Sequence, residues 1–167
     1  TILPSLYAHA GNCLYKLGKK RKAGQYFKKS HEIDPEDVDS YLIEGRMYME
    51  DGDFDKAVKK WALALERAPY ADTWNEIGIY SMELGQLNHA RMAFEHVKEL
   101  EPDFENINEK LASLYLLLKD KENFQKYNQL CKRPFQLEDL KKIEEMLESE
   151  DKEELAQAMK NILNALQ

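Results

Sequence analysis

The chain has few of the residues and segments that would assign it to a specialised class. Its 167 residues include only two cysteines, seven glycines and five prolines. So few cysteines exclude a dense disulfide framework, and so few glycines and prolines exclude a low-complexity chain. No apolar run reaches the roughly 18 residues that a membrane span needs, because the longest covers residues 111–118 and contains Ser113. We expect neither a membrane segment nor a secretory signal.

The two cysteines, Cys13 and Cys131, fall on the first and the eighth predicted helices. Residues so far apart in an extended array are not expected to form a disulfide. We expect both to be free, partly buried thiols in a reducing compartment, which predicts a cytoplasmic location.

Charge is distributed unevenly along the chain. Residues 1–31 carry seven basic residues and no acidic residue, so the remainder must carry −14 to give the net charge of −7. Such asymmetry steers charged partners, or lets two copies of the chain associate end to end. Light scattering at low and high salt would reveal such self-association.

A unit of about 34 residues repeats along the chain, and residues 38–70 contain its clearest copy. Four landmark positions recur in one register, with steps of 34 and then 33 residues. The landmarks are a glycine (Gly11, Gly45, Gly78), an alanine (Ala23, Ala57, Ala90), an aromatic ring (Phe27, Trp61, Phe94) and a closing proline (Pro35, Pro69, Pro102). Glycine inside a helix costs about 1 kcal/mol relative to alanine. We therefore expect close helix packing at each of these glycines.

The landmarks predict helices in pairs, with no convincing strand. The predicted pairs are residues 5–17 with 21–33, 38–50 with 54–67, 71–84 with 88–100, and 105–118 with 121–132. The fourth pair has diverged, with Lys119 where glycine is expected, Phe124 where alanine is expected and Asn128 where a ring is expected. After Pro134 two further apolar stripes predict two helices. We expect them to cover the last repeat, as helical arrays require, rather than to form a separate partner-binding pair.

Residues 38–70 resemble the tetratricopeptide repeat, because the following residues stand at its characteristic spacings: Tyr41, Gly45, Tyr48, Gly52, Ala57, Trp61, Ala64 and Pro69. The resemblance implies an all-α fold, an α-solenoid built as a right-handed superhelix of antiparallel helix pairs with a C-terminal helical cap. The array would occupy residues 1–134, with repeats at 4–37, 38–70 and 71–104 and a diverged repeat at 105–134. The capping helices would occupy residues 135–167.

Residues that resemble catalytic, nucleotide-binding or metal-binding motifs do not have the spacing that those motifs require. Gly11 and Gly18 have six residues between them where a P-loop has four. The acids that begin at Asp51 have Lys56 at the sixth position and Ala62 at the twelfth, where a calcium loop needs glycine and glutamate. The four histidines have no partner at metal-ligand spacing, so we expect surface or edge positions for them. We expect no enzymatic activity, no cofactor and no metal.

The basic residues 19–22 lie in the turn between the first two predicted helices. They could form a nuclear address or a nucleic-acid patch, or simply a solvated turn. No aromatic residue is interleaved with them to stack on bases, so we favour the solvated turn and expect no nucleic-acid partner.

The resemblance further implies a concave groove, lined by the first helix of each pair, that binds a peptide. The residues that would face it are Ala8, Asn12, Tyr15, Leu42, Ile43, Arg46, Met49, Glu50, Asn75, Glu76, Ile79, Met82 and Glu83. Apolar side chains among them would form an exposed patch of the kind that marks interaction sites. The many acids favour a protein or peptide partner that is basic and has apolar anchors.

One well-known subgroup of similar proteins clamps the C-terminal carboxylate of heat-shock chaperones with two asparagines and three basic residues. Only Asn12 matches that pattern here, because Ala8, Ile43, Asp72 and Glu76 stand at the other four positions. Two acids in place of bases would repel a carboxylate, so we do not expect a heat-shock chaperone tail as partner.

The sequence therefore predicts a non-enzymatic scaffold or adaptor for protein–protein interaction. Two alternatives remain open at this point: a small chaperone that holds one client protein, and a docking or regulatory fragment of a larger protein. A scaffold should bridge two proteins at once, whereas a chaperone should stabilise a single client.

Overall fold

The computed structural model describes residues 2–136, together with residues 138, 141, 142 and 145. Within this part of the chain there are eight helices and no strand. They are α1 (Leu3–Lys16), α2 (Lys20–Ile33), α3 (Val38–Glu50), α4 (Phe54–Arg67), α5 (Ala71–Glu83), α6 (Leu87–Leu100), α7 (Ile107–Leu117) and α8 (Lys121–Asn128). The predicted C-terminal cap falls almost entirely outside the described residues.

The chain divides into two compact units, residues 1–73 and residues 74–167. In the first unit α1 packs on α2, α3 packs on α4, and α3 also packs against α1. In the second unit α7 packs against both α6 and α8. Short turns join the helices of each pair. The predicted all-α fold of the helical-repeat, or α-solenoid, class is therefore confirmed, while the handedness of a superhelix stays a prediction.

In each of the first three repeats the landmark glycine lies directly against the aromatic ring, in agreement with the predicted close helix packing. A Cβ atom added to Gly45 would lie 2.2 Å from Trp61 Cδ1, and one added to Gly78 would lie 2.5 Å from Phe94 Cε1. Carbon atoms do not pack closer than about 3.5 Å without repulsion. These glycines are therefore required for close helix packing rather than for flexibility.

The turn inside each helix pair has one left-handed residue. It is a glycine in the first three pairs, with φ of +75° at Gly18, +80° at Gly52 and +73° at Gly85. The same hydrogen bonds recur there: Gly52 N donates to Met49 O, and the next amide donates to Tyr48 O. This is the Schellman ending of a helix, in which glycine is favoured. Lys119 takes the position in the fourth pair, with φ of +59°.

We expect Lys119→Gly to stabilise the protein. A side chain at positive φ costs roughly 1–2 kcal/mol, and glycine recovers part of this while adding freedom to the unfolded chain. The expected gain is about 1 kcal/mol in the free energy of unfolding, measured by chemical denaturation. An unchanged or lower stability would show that Lys119 makes compensating contacts.

The eighth helix ends four residues earlier than the predicted boundary at residue 132. Two tertiary hydrogen bonds hold the chain away from the helical path: Lys132 N donates to Glu109 Oε1 at 2.8 Å, and Phe135 N donates to Asn128 Oδ1 at 2.8 Å. Pro134 also disfavours helical geometry in the residue before it. Asn128 stands at the position where the other repeats have a ring, and it thus holds the returning segment of the chain at Phe135.

Candidate functional site

In the first unit, the residues that the sequence assigns to the groove lie on α1 and α3. Leu42, Ile43 and Met49 are buried. Ile43 belongs to a core cluster that also contains Ala8, Ala23, Phe27 and Met47. The groove residues that remain partly or fully exposed in this unit are Asn12, Tyr15, Arg46 and Glu50.

In the second unit the predicted groove residues lie on α5. Met82 is 0% exposed and Asn75 is also buried, whereas Glu76, Ile79 and Glu83 are partly exposed. The exposed patch was predicted from four apolar residues, of which only Ile79 is accessible; the other three are Ile43, Met49 and Met82. The others fill the core, because the inner helices pack too closely to leave large side chains in solvent.

A buried lysine that the sequence analysis did not identify lies beside this face. Lys110, on α7, is 8% exposed, and its Nζ donates a hydrogen bond to Asn75 Oδ1 at 2.7 Å. The ammonium group lies 5.7 Å from the ring centre of Phe94 and 5.4 Å from that of Phe104. Burial lowers the pKa of Lys110, and the charges of three acids oppose this shift: Glu105, Glu76 and Glu109.

The surroundings of Cys131 in the second unit keep its thiol protonated. Burial, followed by the charge of Glu109, raises the pKa of this thiol to about 12. The protonated Sγ donates to Tyr127 O at 3.3 Å, so a nucleophilic role is disfavoured. Both cysteines are free, but Cys13 is exposed rather than partly buried, and Cys131 lies beyond the end of α8.

The first unit contains a buried charge network on α2, α3 and α4. Glu44 is 5% exposed, forms an ion pair with Lys60, and lies 3.4 Å from His31 Nε2. The ring of His31 stacks on that of Tyr41 with 4.2 Å between their centres. The side chain of His31 is 20% exposed, so it is partly buried, which fits the expected edge position.

Glu44 should make stability depend on pH. Burial raises the pKa of Glu44, but interactions with His31 and Lys60 outweigh burial and hold the pKa below its ordinary value of 4.5. A carboxylate whose pKa is lower in the folded state contributes stability above its unfolded pKa and loses it as pH falls through the folded pKa.

We expect Glu44→Gln to cost about 2 kcal/mol at neutral pH, because the neutral amide no longer pairs with the Lys60 ammonium group as the carboxylate does. The difference from the parent protein should shrink steadily as pH falls below 4.5. Denaturant unfolding at several pH values measures this difference, and a gap that stays constant would contradict the assignment.

Stacked helix pairs whose inner helices present polar and acidic side chains define a helical-repeat protein of the interaction-scaffold kind. Residues 4–37 match a sequence model described as tetratricopeptide repeat, and residues 71–104 match a second model of the same description. The chain therefore contains two segments that match tetratricopeptide repeats, residues 4–37 and 71–104. Repeats of this family bind protein partners and are generally non-enzymatic, so the chain belongs to a class of protein-interaction scaffolds.

Similar proteins include the "Protein CTR9 homolog" of Arabidopsis thaliana, which is 31% identical over 102 residues. The aligned region covers 60% of this chain but 9% of that protein. A solved structure from work on Pseudomonas aeruginosa pilF aligns over 99% of this chain and 77% of its own, with a TM-score of 0.54 and 20% identity. A MamA mutant aligns over 77% of both chains with a TM-score of 0.44 and 20% identity.

The described residues contain neither a membrane-spanning helix nor a metal site. None of the helices in this part of the chain is long and apolar enough to cross a membrane. No group of three His, Cys, Asp or Glu side chains among the same residues is arranged to hold a metal ion.

Proposed function

We propose that the face of α5 that carries Glu76, Ile79 and Glu83 binds an extended or helical segment of a protein partner that is basic and carries apolar anchors. The observation that carries the proposal is a stripe on α5. Ile79 is partly exposed, with Glu76 three residues before it and Glu83 four residues after it, so all three share one helix face. An apolar side chain between two carboxylates suits a partner that has an apolar anchor beside basic side chains.

The charges around Lys110 support a basic partner. Its buried ammonium group is surrounded by three acids, Glu76, Glu105 and Glu109, so this part of the second unit keeps an excess of negative charge. A free C-terminal carboxylate would meet repulsion here. We therefore propose a basic internal segment rather than a heat-shock chaperone tail.

The first unit offers groups of a different kind. Asn12 and Tyr15 on α1 supply an amide and a phenol, and Arg46 on α3 supplies a guanidinium group. We propose separately that, in the first unit, these groups bind the backbone carbonyls of a partner segment, because an extended peptide exposes its carbonyls regularly. Glu50, which is exposed on the same helix, adds a further site for a basic side chain.

Selection from a random peptide library would test the chemistry of the partner. We expect the bound peptides to be enriched in arginine and lysine next to leucine, isoleucine or phenylalanine, and to weaken with rising salt. Enrichment of acidic peptides would contradict the proposal. So would a selected set that binds equally well after the α5 stripe has been changed.

A second candidate function is that of the docking part of a larger protein. The match to the CTR9 homolog favours it, because a region of this kind forms only 9% of that protein. In both cases the chain would act by binding and would catalyse no reaction. The two free cysteines support a reducing compartment, and we propose the cytoplasm.

A further inference from the structure

A cavity of about 300 Å³ lies in the first unit between α2 and the α3–α4 pair. This volume is at the lower end of ligand pockets, so it suits one side chain rather than a larger molecule. Two tyrosines, a phenylalanine and a methionine provide its apolar walls, and acids lie at its mouth. The residues that matter for the argument are Tyr15, Phe27, Met47, Tyr48, Asp51 and Asp53.

Gly24 keeps this cavity open. It lies on α2 in the wall of the cavity, and a Cβ atom added to it would have no other atom within 4 Å. Unlike Gly45, therefore, Gly24 is not required by close packing. Its missing side chain leaves space that a long side chain at this position would enter, whereas a single methyl group would meet no other atom.

The third repeat shows which side chain occupies the corresponding position. Steps of 34 and 33 residues place Arg91 where the first repeat has Gly24, and Tyr115 where the second repeat has Tyr48. Arg91 and Tyr115 line a cavity in the second unit, where Arg91 Nη1 donates to the two oxygens of Glu95 at 3.1 and 2.9 Å. The cavity of the second unit thus contains an arginine beside a tyrosine and a carboxylate, at the position where the cavity of the first unit has Gly24.

The walls of the first cavity already hold cations. Lys20 Nζ lies 4.9 Å from the ring centre of Tyr15 and 3.1 Å from Asp51 Oδ2. Lys56 Nζ lies 5.4 Å from the ring centre of Tyr48 and 2.6 Å from Asp53 Oδ2. The lysine side chains are 65% and 60% exposed, and pairs so exposed contribute little to stability. A better-fitting cation can therefore displace either lysine at small cost.

We propose that this cavity binds an arginine side chain of a protein partner. In this arrangement the guanidinium group lies between the rings of Tyr15 and Tyr48, and its N–H groups donate hydrogen bonds to Asp51. The aliphatic part of the arginine side chain packs on Phe27 and Met47. Arginine fits better than lysine because its planar group stacks on rings and donates two parallel hydrogen bonds. Three carboxylates and two ammonium groups line the cavity. Lys60 pairs with one of these carboxylates, Glu44, so the negative charge that attracts a cation comes from Asp51 and Asp53.

This site shares Tyr15 with the groove residues of α1 but includes no residue of α5, so its test does not depend on the α5 stripe. Titration of the full chain with the tripeptide acetyl-Leu-Arg-Leu-amide, followed by amide NMR, tests it directly. Acetyl-Leu-Glu-Leu-amide serves as the matched acidic probe. We expect the arginine probe to shift the amide signals of Gly24, Tyr48 and Asp51, and the acidic probe to leave them in place.

Two variants at one position complete the test. Gly24→Arg supplies the guanidinium group from within the chain and should weaken binding of the arginine probe by about tenfold or more. Gly24→Ala leaves the cavity open and should bind within about twofold of the parent. Equal binding by both variants would overturn the proposal. It would also be overturned by tighter binding of the acidic probe, or by no shift with the arginine probe. Glu76→Lys with Ile79→Asp should not affect this titration, which separates it from the inner-face proposal.

Discussion

Gly45→Ala is expected to lower the free energy of unfolding by about 3 kcal/mol, the upper part of the range for overpacked cores. The new methyl group would lie 2.2 Å from both Cδ1 and Nε1 of Trp61. The ring cannot easily retreat, because it is buried and its Nε1 donates a hydrogen bond to Leu42 O at 3.2 Å. Helix propensity alone predicts the opposite sign, a gain of about 1 kcal/mol.

Gly24→Ala is the matched control, since it makes the same chemical change inside a helix where the added atom meets open space. We expect it to stabilise the protein by up to about 1 kcal/mol. Chemical denaturation followed by circular dichroism measures both variants. If Gly45→Ala proved as stable as the parent, the close contact between glycine and ring would not be the basis of the repeat packing.

The double variant Glu76→Lys, Ile79→Asp should weaken binding of a selected basic peptide by about 100-fold, or about 2.7 kcal/mol. Lysine reverses the charge that attracts the partner, and aspartate places an ionised group where an apolar anchor would pack. Both changes are on partly exposed positions of α5, so we expect the helical content to stay unchanged. Isothermal titration calorimetry and circular dichroism measure the two quantities.

The control for this variant makes the same two changes on a surface with no proposed role. Val58 is 48% exposed and Glu66 is exposed, both on α4. Val58→Asp with Glu66→Lys matches the double variant in charge and in the type of residue replaced. We expect its affinity to stay within about twofold of the parent. An equal loss in both double variants would indicate a general charge effect instead of a site on α5.

The sequence predicts the repeat architecture well because backbone geometry determines its landmarks. A position packed against a ring and a position at positive φ each accept few residue types other than glycine. The landmark residues Gly45 and Trp61, and Gly52 in its turn, were therefore recognisable from their spacing. Even the exception at Lys119 was visible, since it occupies a position that geometry reserves for glycine. Seven of the eight helices lie within two residues of their predicted ends for the same reason.

Side-chain burial on the inner face was much harder to predict. Helix periodicity places Met49 and Met82 on that face, but only the distance between neighbouring helices decides that they are buried. Likewise, nothing in the spacing of Lys110 or His31 indicates that Asn75 and Glu44 lie beside them. Such contacts join residues that are far apart in the sequence, so no local pattern reports them.

The central claim is that the inner face of α5 selects the protein partner. An affinity capture from source lysate, quantified by mass spectrometry, tests it most directly with three baits: the parent chain, Glu76→Lys with Ile79→Asp, and Val58→Asp with Glu66→Lys. The account predicts a discrete protein that the parent and the α4 control retain and the α5 variant loses. Equal capture of that protein by all three baits would contradict it.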